Sequence, residues 1–171
     1  MIKRAIDRSL VAIKRRSIYA EALKRKGAGD YRQQLAELHV RDLMKRDPIT
    51  VSPVAHFAEI GEKFIANRFN YLYVTKHGRF LGAVSLHDIK NYLNSPELAK
   101  VVIAEDLLHG QFPVIPAGST LAYALEIFTH HDGERLPVIG DISGRQLVGS
   151  ISKTDLILAL ADINRSAPTD S

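Results

Sequence analysis

Gly82-Ala83-Val84-Ser85-Leu86-His87-Asp88 returns later in the chain as Gly149-Ser150-Ile151-Ser152-Lys153-Thr154-Asp155. Each copy reads as the end of a strand, a serine at a turn and the start of an amphipathic helix. The echo extends upstream, where Val40-Arg41-Asp42-Leu43-Met44 is matched by Ala104-Glu105-Asp106-Leu107-Leu108. Phe57 and Phe64 are matched by Leu121 and Phe128 at the same spacing. A repeat of this length is architectural, because each copy is a supersecondary unit that buries its apolar face against the other. Two copies also leave a pseudo-twofold seam, and seams between similar units are common places for small molecules to bind.

Working outward from the motif, the first copy predicts a short strand at 49–51, set off by Pro48 and Pro53. An amphipathic helix follows over 56–67, with Phe57, Ile60 and Phe64 on one face. Strands over 71–76 and 80–85 form a hairpin about His77-Gly78, and a helix over 86–93 closes the unit. The second copy repeats this order at 113–115, 120–131, 136–140, 146–152 and 153–163, with a longer hairpin through Asp141-Ile142-Ser143-Gly144. The expected fold class is α/β: two β-α-β-β-α units packed about a pseudo-twofold axis, with an N-terminal helical basic arm. The expected segments are an arm at 1–39, units at 40–99 and 100–163, and a tail at 164–171.

The chain has 171 residues, 46% of them hydrophobic and 25% charged, which is a globular composition large enough to bury a core. It has no cysteine, which excludes disulfides and thiolate metal sites. No apolar run approaches the roughly 18 residues of a membrane span. The charged N-terminus does not resemble a secretory signal. The net charge of +4 is unevenly placed: residues 1–39 carry ten Lys/Arg against four Asp/Glu. The repeats themselves are slightly acidic, so the overall basicity is no argument for nucleic-acid binding.

Ser85-x-x-Asp88 and Ser152-x-x-Asp155 each have the spacing of a capping box, in which the serine accepts from one orphan amide and the acid reaches back to another. The same geometry suits a ligand. A helix start offers free amides and a positive dipole end to phosphate, and an exposed carboxylate on its first turn can accept from two ribose hydroxyls. A glycine just upstream permits close backbone approach.

These residues resemble the CBS domain, found in tandem as the Bateman module. Its mark, Gly-hydrophobic-x-Ser/Thr-x-x-Asp, stands intact in both copies, and the resemblance spans about residues 40–163. It implies a regulatory rather than catalytic module, requiring no cofactor, whose ligand is ATP, ADP or AMP. It also implies that each cleft combines one repeat's first strand and helix-to-strand loop with the other repeat's aspartate. The favoured cleft would then hold Thr50, Val51, Phe69, Leu72, Tyr73, Ser152, Lys153 and Asp155, with Phe69 stacking on adenine and Lys153 beside the phosphates. The second cleft would hold Ser85, Asp88, Val114, Ile115 and Pro137, with Gly133 where the first has Phe69. Tyr73 stands where the family often has proline, which narrows the favoured pocket. Core packing is the competing expectation for Phe69.

Upstream, Arg16-Ser17-Ile18-Tyr19-Ala20-Glu21-Ala22-Leu23-Lys24-Arg25-Lys26-Gly27 resembles the segment joining the last membrane helix to the CBS pair in CLC chloride channels and transporters. That implies a domain at the cytoplasmic face of a membrane, partnered by the membrane-embedded CLC domain of the same chain. A generic basic helix with a capping box at Ser17 is the plainer reading. A free-standing nucleotide-sensing adaptor is the alternative function. A nucleic-acid binder using the arm ranks last, since the arm lacks interleaved aromatics and the module has no groove-reading helix. No catalytic constellation or metal-ligand spacing stands out, His130-His131-Asp132 included. A homodimer is expected through apolar helix faces at Ile60/Phe64, Ala124/Phe128, Ile89/Leu93 and Leu156/Leu160.

Overall fold

Parallel strands cannot be joined by a tight turn, so a short first strand followed by a helix dictates a crossover. Both repeats use it. The structure, a computed structural model, describes Ala36 and residues 38–166, with side chains as far as Ala161. Apart from Ala36, Leu38 and His39, the helical arm expected over residues 1–39 lies outside the described residues. The described chain runs through the single turn α1 (Val40–Leu43), β1 (Thr50–Val51), α2 (Phe57–Asn67), β2 (Tyr71–Lys76), β3 (Arg79–Ser85), α3 (Leu86–Tyr92) and the turn α4 (Pro96–Ala99). A 3-10 turn at Ala104–Leu107 leads to β4 (Ile115–Pro116), α5 (Leu121–His130), β5 (Arg135–Ile139), β6 (Leu147–Ser152) and α6 (Lys153–Ser166). The strands form two three-stranded sheets, ordered β1-β2-β3 and β4-β5-β6. The first strand of each is parallel to the second (Thr50 beside Tyr73, Ile115 beside Val138), and the hairpin is antiparallel. This is the expected α/β pair.

Local chemistry sets the helix ends. Thr120 Oγ1 accepts from the Tyr123 N–H at 3.2 Å and opens α5. Arg68, left-handed at φ 55°, closes α2 with its N–H on the Phe64 carbonyl. α6 continues to Ser166, beyond the expected end at 163, since nothing in Asn164-Arg165-Ser166 breaks a helix.

The cores hold a crossing that the repeat alone does not reveal. The first unit packs Val51, Ile60, Phe64, Leu72, Val84 and Ile89 together with Val102, Ala104 and Leu107 from the lead of the second repeat. The second unit packs Ile115, Leu121, Phe128, Leu136, Ile151 and Leu156 together with Val40 from the lead of the first. Backbone bonds tie each lead to the opposite unit: Val40 N–H to Ser119 O and Arg41 N–H to Ala117 O on one side, Ala104 N–H to Ala55 O and Glu105 N–H to Pro53 O on the other. Val40 is wholly buried, and a side chain of that size contributes about 1.5–3 kcal/mol by leaving water. A third cluster, Tyr73, Phe80, Ala83, Phe112 and Ile139, fills the seam between the sheets.

The helix faces expected to lie outward are corrected by this packing. Ile60, Phe64, Ala124, Phe128, Ile89 and Leu156 are all buried in the core of their own unit, because sheet and swapped lead together cover them. Leu160 packs partly buried on the same core. Leu93 is exposed, and among the described residues the other large outward apolar side chains on these helices are Ile65 on α2, Tyr123 on α5 and Leu158 on α6.

Candidate functional site: the clefts along the seam

The two Ser-x-x-Asp motifs fold alike and bond differently. In the second copy, Ser152 Oγ accepts from the Asp155 N–H at 3.1 Å, and the Asp155 carboxylate accepts from the Ser152 N–H at 2.8 Å and hydroxyl at 2.7 Å. Both halves of a capping box are closed. In the first copy, Ser85 Oγ accepts from the Asp88 N–H at 3.1 Å and its hydroxyl donates to the carboxylate at 2.6 Å. The same Asp88 oxygen lies 2.5 Å from His109 Nε2. Burial alone would raise the Asp88 carboxyl, but the hydrogen bonds from Ser85 and His109 and the charges of His109 and His87 outweigh it and hold it below its ordinary value.

The motif glycines serve the chain crossing. A Cβ on Gly149 would stand 2.5 Å from the Lys45 carbonyl oxygen, and one on Gly82 would overlap the His109 carbonyl. Each lead passes directly over its glycine in antiparallel pairing: Lys45 exchanges both backbone bonds with Ser150, and His109 does so with Ala83. The close approach expected for a ligand is made here by the protein's own backbone.

A cleft of about 760 Å³ opens at Asp88. Ser85, His87 and Asp88 line it from the first unit, and His109, Phe112, Pro113 and His131 from the second. Its apolar wall is a ring cluster, with Tyr71 and Phe112 centroids 4.9 Å apart and His131 edge-on to Phe112 at 5.0 Å. Gly133 makes room for the His131 ring, whose Nε2 would meet any Cβ there. Burial, and then the Lys153 charge, lower the His131 imidazole against the opposing pull of Asp132, so the neutral ring is favoured. Of the five residues expected at this cleft, Ser85 and Asp88 line it. Ile115 and Pro137 are buried in β4 and β5, and Val114 packs into the seam core. Apart from His87, the rings and imidazoles come from outside the motif: Tyr71 precedes the family positions, and His109 and Phe112 sit in a lead that reads as linker. Their one signal in sequence was the second copy's lead echo, Ala104 to Leu108, which ends just before His109.

On the Asp155 side, Phe69 is half-buried with the Arg135 guanidinium 5.3 Å over its ring, and Arg135 pairs in register with Ser152. Phe69 is thereby brought to the second unit's helix start. Lys153 turns back on its own unit: its ammonium donates to the His131 carbonyl at 3.0 Å and lies over the Phe128 ring. Thr50 and Val51 form β1, beside Tyr73 and Val74. Leu72 is buried in the first unit's core, and Tyr73 in the seam against Phe80 and Phe112. The Tyr73 hydroxyl has no partner among the described residues, and burial drives its pKa well above the usual phenol value despite the Arg135 charge. Among the described residues, no group of three or more His, Asp or Glu is placed to hold a metal ion.

Two like sheets about a seam, exchanged leads and a serine-capped helix start on either side define a tandem pair of small α/β modules. The family model described as CBS domain matches residues 40–95 and again residues 104–162, more than half of the chain, and the chain belongs to that family. The fold is similar to the CBS-pair protein CBSX2 of Arabidopsis thaliana, at 22% identity over 76% of this chain and 99% of that one, TM-score 0.66. A structure of CBSX2 in complex with AMP matches at 23% identity over 75% and 99% of the two chains, TM-score 0.62. The CBS domain of the bacterial CNNM/CorC family Mg2+ transporter, in complex with ATP, matches at 16% identity over 77% and 93%, TM-score 0.63. No described helix is long and apolar enough to cross a membrane.

Proposed function

We propose that this CBS pair is a regulatory module that senses an adenine nucleotide, AMP, ADP or ATP, in the seam clefts. The observation that carries the reading is the Asp88 cleft. A serine-capped helix start, with its half-buried first-turn carboxylate, opens onto a 760 Å³ space walled by Tyr71 and Phe112. A carboxylate able to accept from ribose and a phosphate-favouring helix end beside flat apolar rings are the elements a nucleoside phosphate needs, and they support the reading. CBSX2 with AMP and the CNNM/CorC domain with ATP are relatives in fold whose ligands support the same chemistry. A second reading puts the ligand at Asp155, whose carboxylate is held by its own cap and not by a histidine, with Phe69 as the stacking face.

The finer assignment is the cytoplasmic regulatory domain of a CLC-type chloride channel or transporter, acting as a homodimer at the membrane face. It is supported by the stretch Arg16 to Gly27 directly ahead of the module. The alternative is a free-standing nucleotide-sensing adaptor. The reading frame upstream of Met1 separates the two: several apolar spans of about 20 residues establish the transport protein.

The direct test is calorimetric titration of the chain with AMP, ADP and ATP. Losing a carboxylate that holds ribose weakens binding by on the order of 1.5–3 kcal/mol, tenfold or more. A loss confined to Asp88→Ala assigns the Asp88 cleft, and one confined to Asp155→Ala the Asp155 cleft. Absence of binding by the unmodified chain at millimolar nucleotide removes the proposal and leaves two helix caps.

A further inference from the structure

The two hairpins meet turn to turn. Arg79 pairs with Gln146 as an antiparallel bridge, the Phe80 N–H donates to the Arg145 carbonyl at 2.8 Å, and the Leu147 N–H donates to the Gly78 carbonyl at 2.9 Å. This junction is set by both turns. His77 and Gly78 take left-handed φ values of 51° and 77°, and Arg145, also left-handed at 51°, closes its own turn through an N–H to the Asp141 carbonyl. Beside the junction lies a cleft of about 590 Å³.

Lys76, His77 and Arg79 line it from one turn and Arg145 from the other, with no acidic residue in the lining. Among the described residues, none of these three Lys and Arg side chains is in an ion pair, the pairs present being His39–Asp42, Glu97–Lys100 and Asp88–His109. Asp141, the nearest acid along the chain, is turned into its own loop, where it accepts from the Ser143 hydroxyl and the Gly144 N–H. Arg145 is held in place by its guanidinium over the Phe80 ring, 5.6 Å from the centroid. Converging cations repel one another, and a concave wall concentrates their field. A fixed guanidinium fork loses little freedom on meeting a phosphate. The bonds that join the turns are made by backbone groups and not by these charges.

We propose that this cleft is an anion site for a compact ligand carrying two or more phosphate groups. It is separate from the Asp88 and Asp155 helix starts and stands whether or not a nucleotide occupies them. The site touches the Asp88 cleft at one residue, Gly110, which lines both. An occupant would therefore press on the lead that carries His109.

Inorganic tripolyphosphate is the probe, titrated calorimetrically into the full chain. Binding is expected, weakened tenfold or more by the triple substitution Lys76→Ser, Arg79→Ser and Arg145→Ser. Equal charge removed from the arm, as Lys24→Ser, Arg25→Ser and Lys26→Ser, should leave it within about twofold. Arg145→Lys, which keeps the charge and loses the fork, is expected to fall between. Circular dichroism and an unchanged urea midpoint confirm that the variants fold. A headgroup bearing several phosphates has the same chemistry. Co-sedimentation with phosphatidylcholine vesicles containing a phosphatidylinositol bisphosphate, lost in the cleft variant, assigns the source to lipid, and retained tripolyphosphate binding without co-sedimentation assigns it to a soluble anion. The proposal is overturned if the unmodified chain binds no tripolyphosphate, or if the arm variant loses binding while the cleft variant keeps it.

Discussion

His109 Nε2 lies 2.5 Å from Asp88 Oδ2, so the carboxylate that one repeat offers toward the seam is met by a histidine from the other repeat's lead. Asp155, its counterpart, is bonded to its own Ser152. One motif has thus become a purely local cap and the other a tie between units.

The tie has a titration consequence. The Asp88 carboxyl sits below its ordinary value, so it contributes stability that is present above the unfolded-state pKa and is lost as pH falls through the depressed folded value. His109→Ala removes two of the influences that lower it and should shift the Asp88 side-chain carbon titration, followed by NMR, upward. It should also reduce the loss of stability on acidification. An unmoved Asp88 titration would show that the pair does not persist in solution.

The glycines under the crossing leads should tolerate no side chain. Gly149→Ala places a methyl 2.5 Å from a backbone carbonyl that cannot move without breaking the Lys45–Ser150 pair. We expect a loss of about 1–3 kcal/mol in urea unfolding. Gly61, inside α2 with nothing within 4 Å of its Cβ position, is the opposite case. Gly61→Ala should stabilise by about 0.5–1 kcal/mol.

The buried Tyr73 hydroxyl meets no partner among the described residues. Tyr73→Phe keeps the ring against Phe80 and Phe112 and removes only that group. The variant should gain about 1 kcal/mol, read as a higher urea midpoint at unchanged slope. A loss of similar size would mean that the hydroxyl is bonded in solution, for instance to an ordered water.

Self-association, where it occurs, must use the side chains that remain outside. Ile65 and Leu158 are 80% and 57% exposed, while the inward faces of their helices are committed to the cores. We expect a dimer at tens of micromolar, about where weak dimers appear, in sedimentation velocity. Ile65→Glu with Leu158→Glu should return it to monomer without altering the fold. A chain that sediments as monomer throughout would leave these residues as ordinary surface.

The doubled motif, the helix periodicity about Phe57–Phe64 and Leu121–Phe128, and the turn residues His77-Gly78 were enough to give the order of elements and the family, because each is a local pattern that a strand, helix or turn imposes on neighbouring residues. The serine caps were legible for the same reason: a serine and an aspartate three apart meet wherever a helix begins. What lay outside that reach was which unit each lead joins. Val40 and Ala104 look like the openings of their own repeats, yet each is buried in the other, a choice made by the fit of whole sheets and not by neighbouring residues. The candidate cleft depends on that choice. His109 and Phe112 line the Asp88 cleft because the second lead crosses over Gly82, and Lys153 is held by the His131 carbonyl of its own unit. Contacts between residues far apart in the chain leave no periodic trace along it, so only the tertiary structure could decide them.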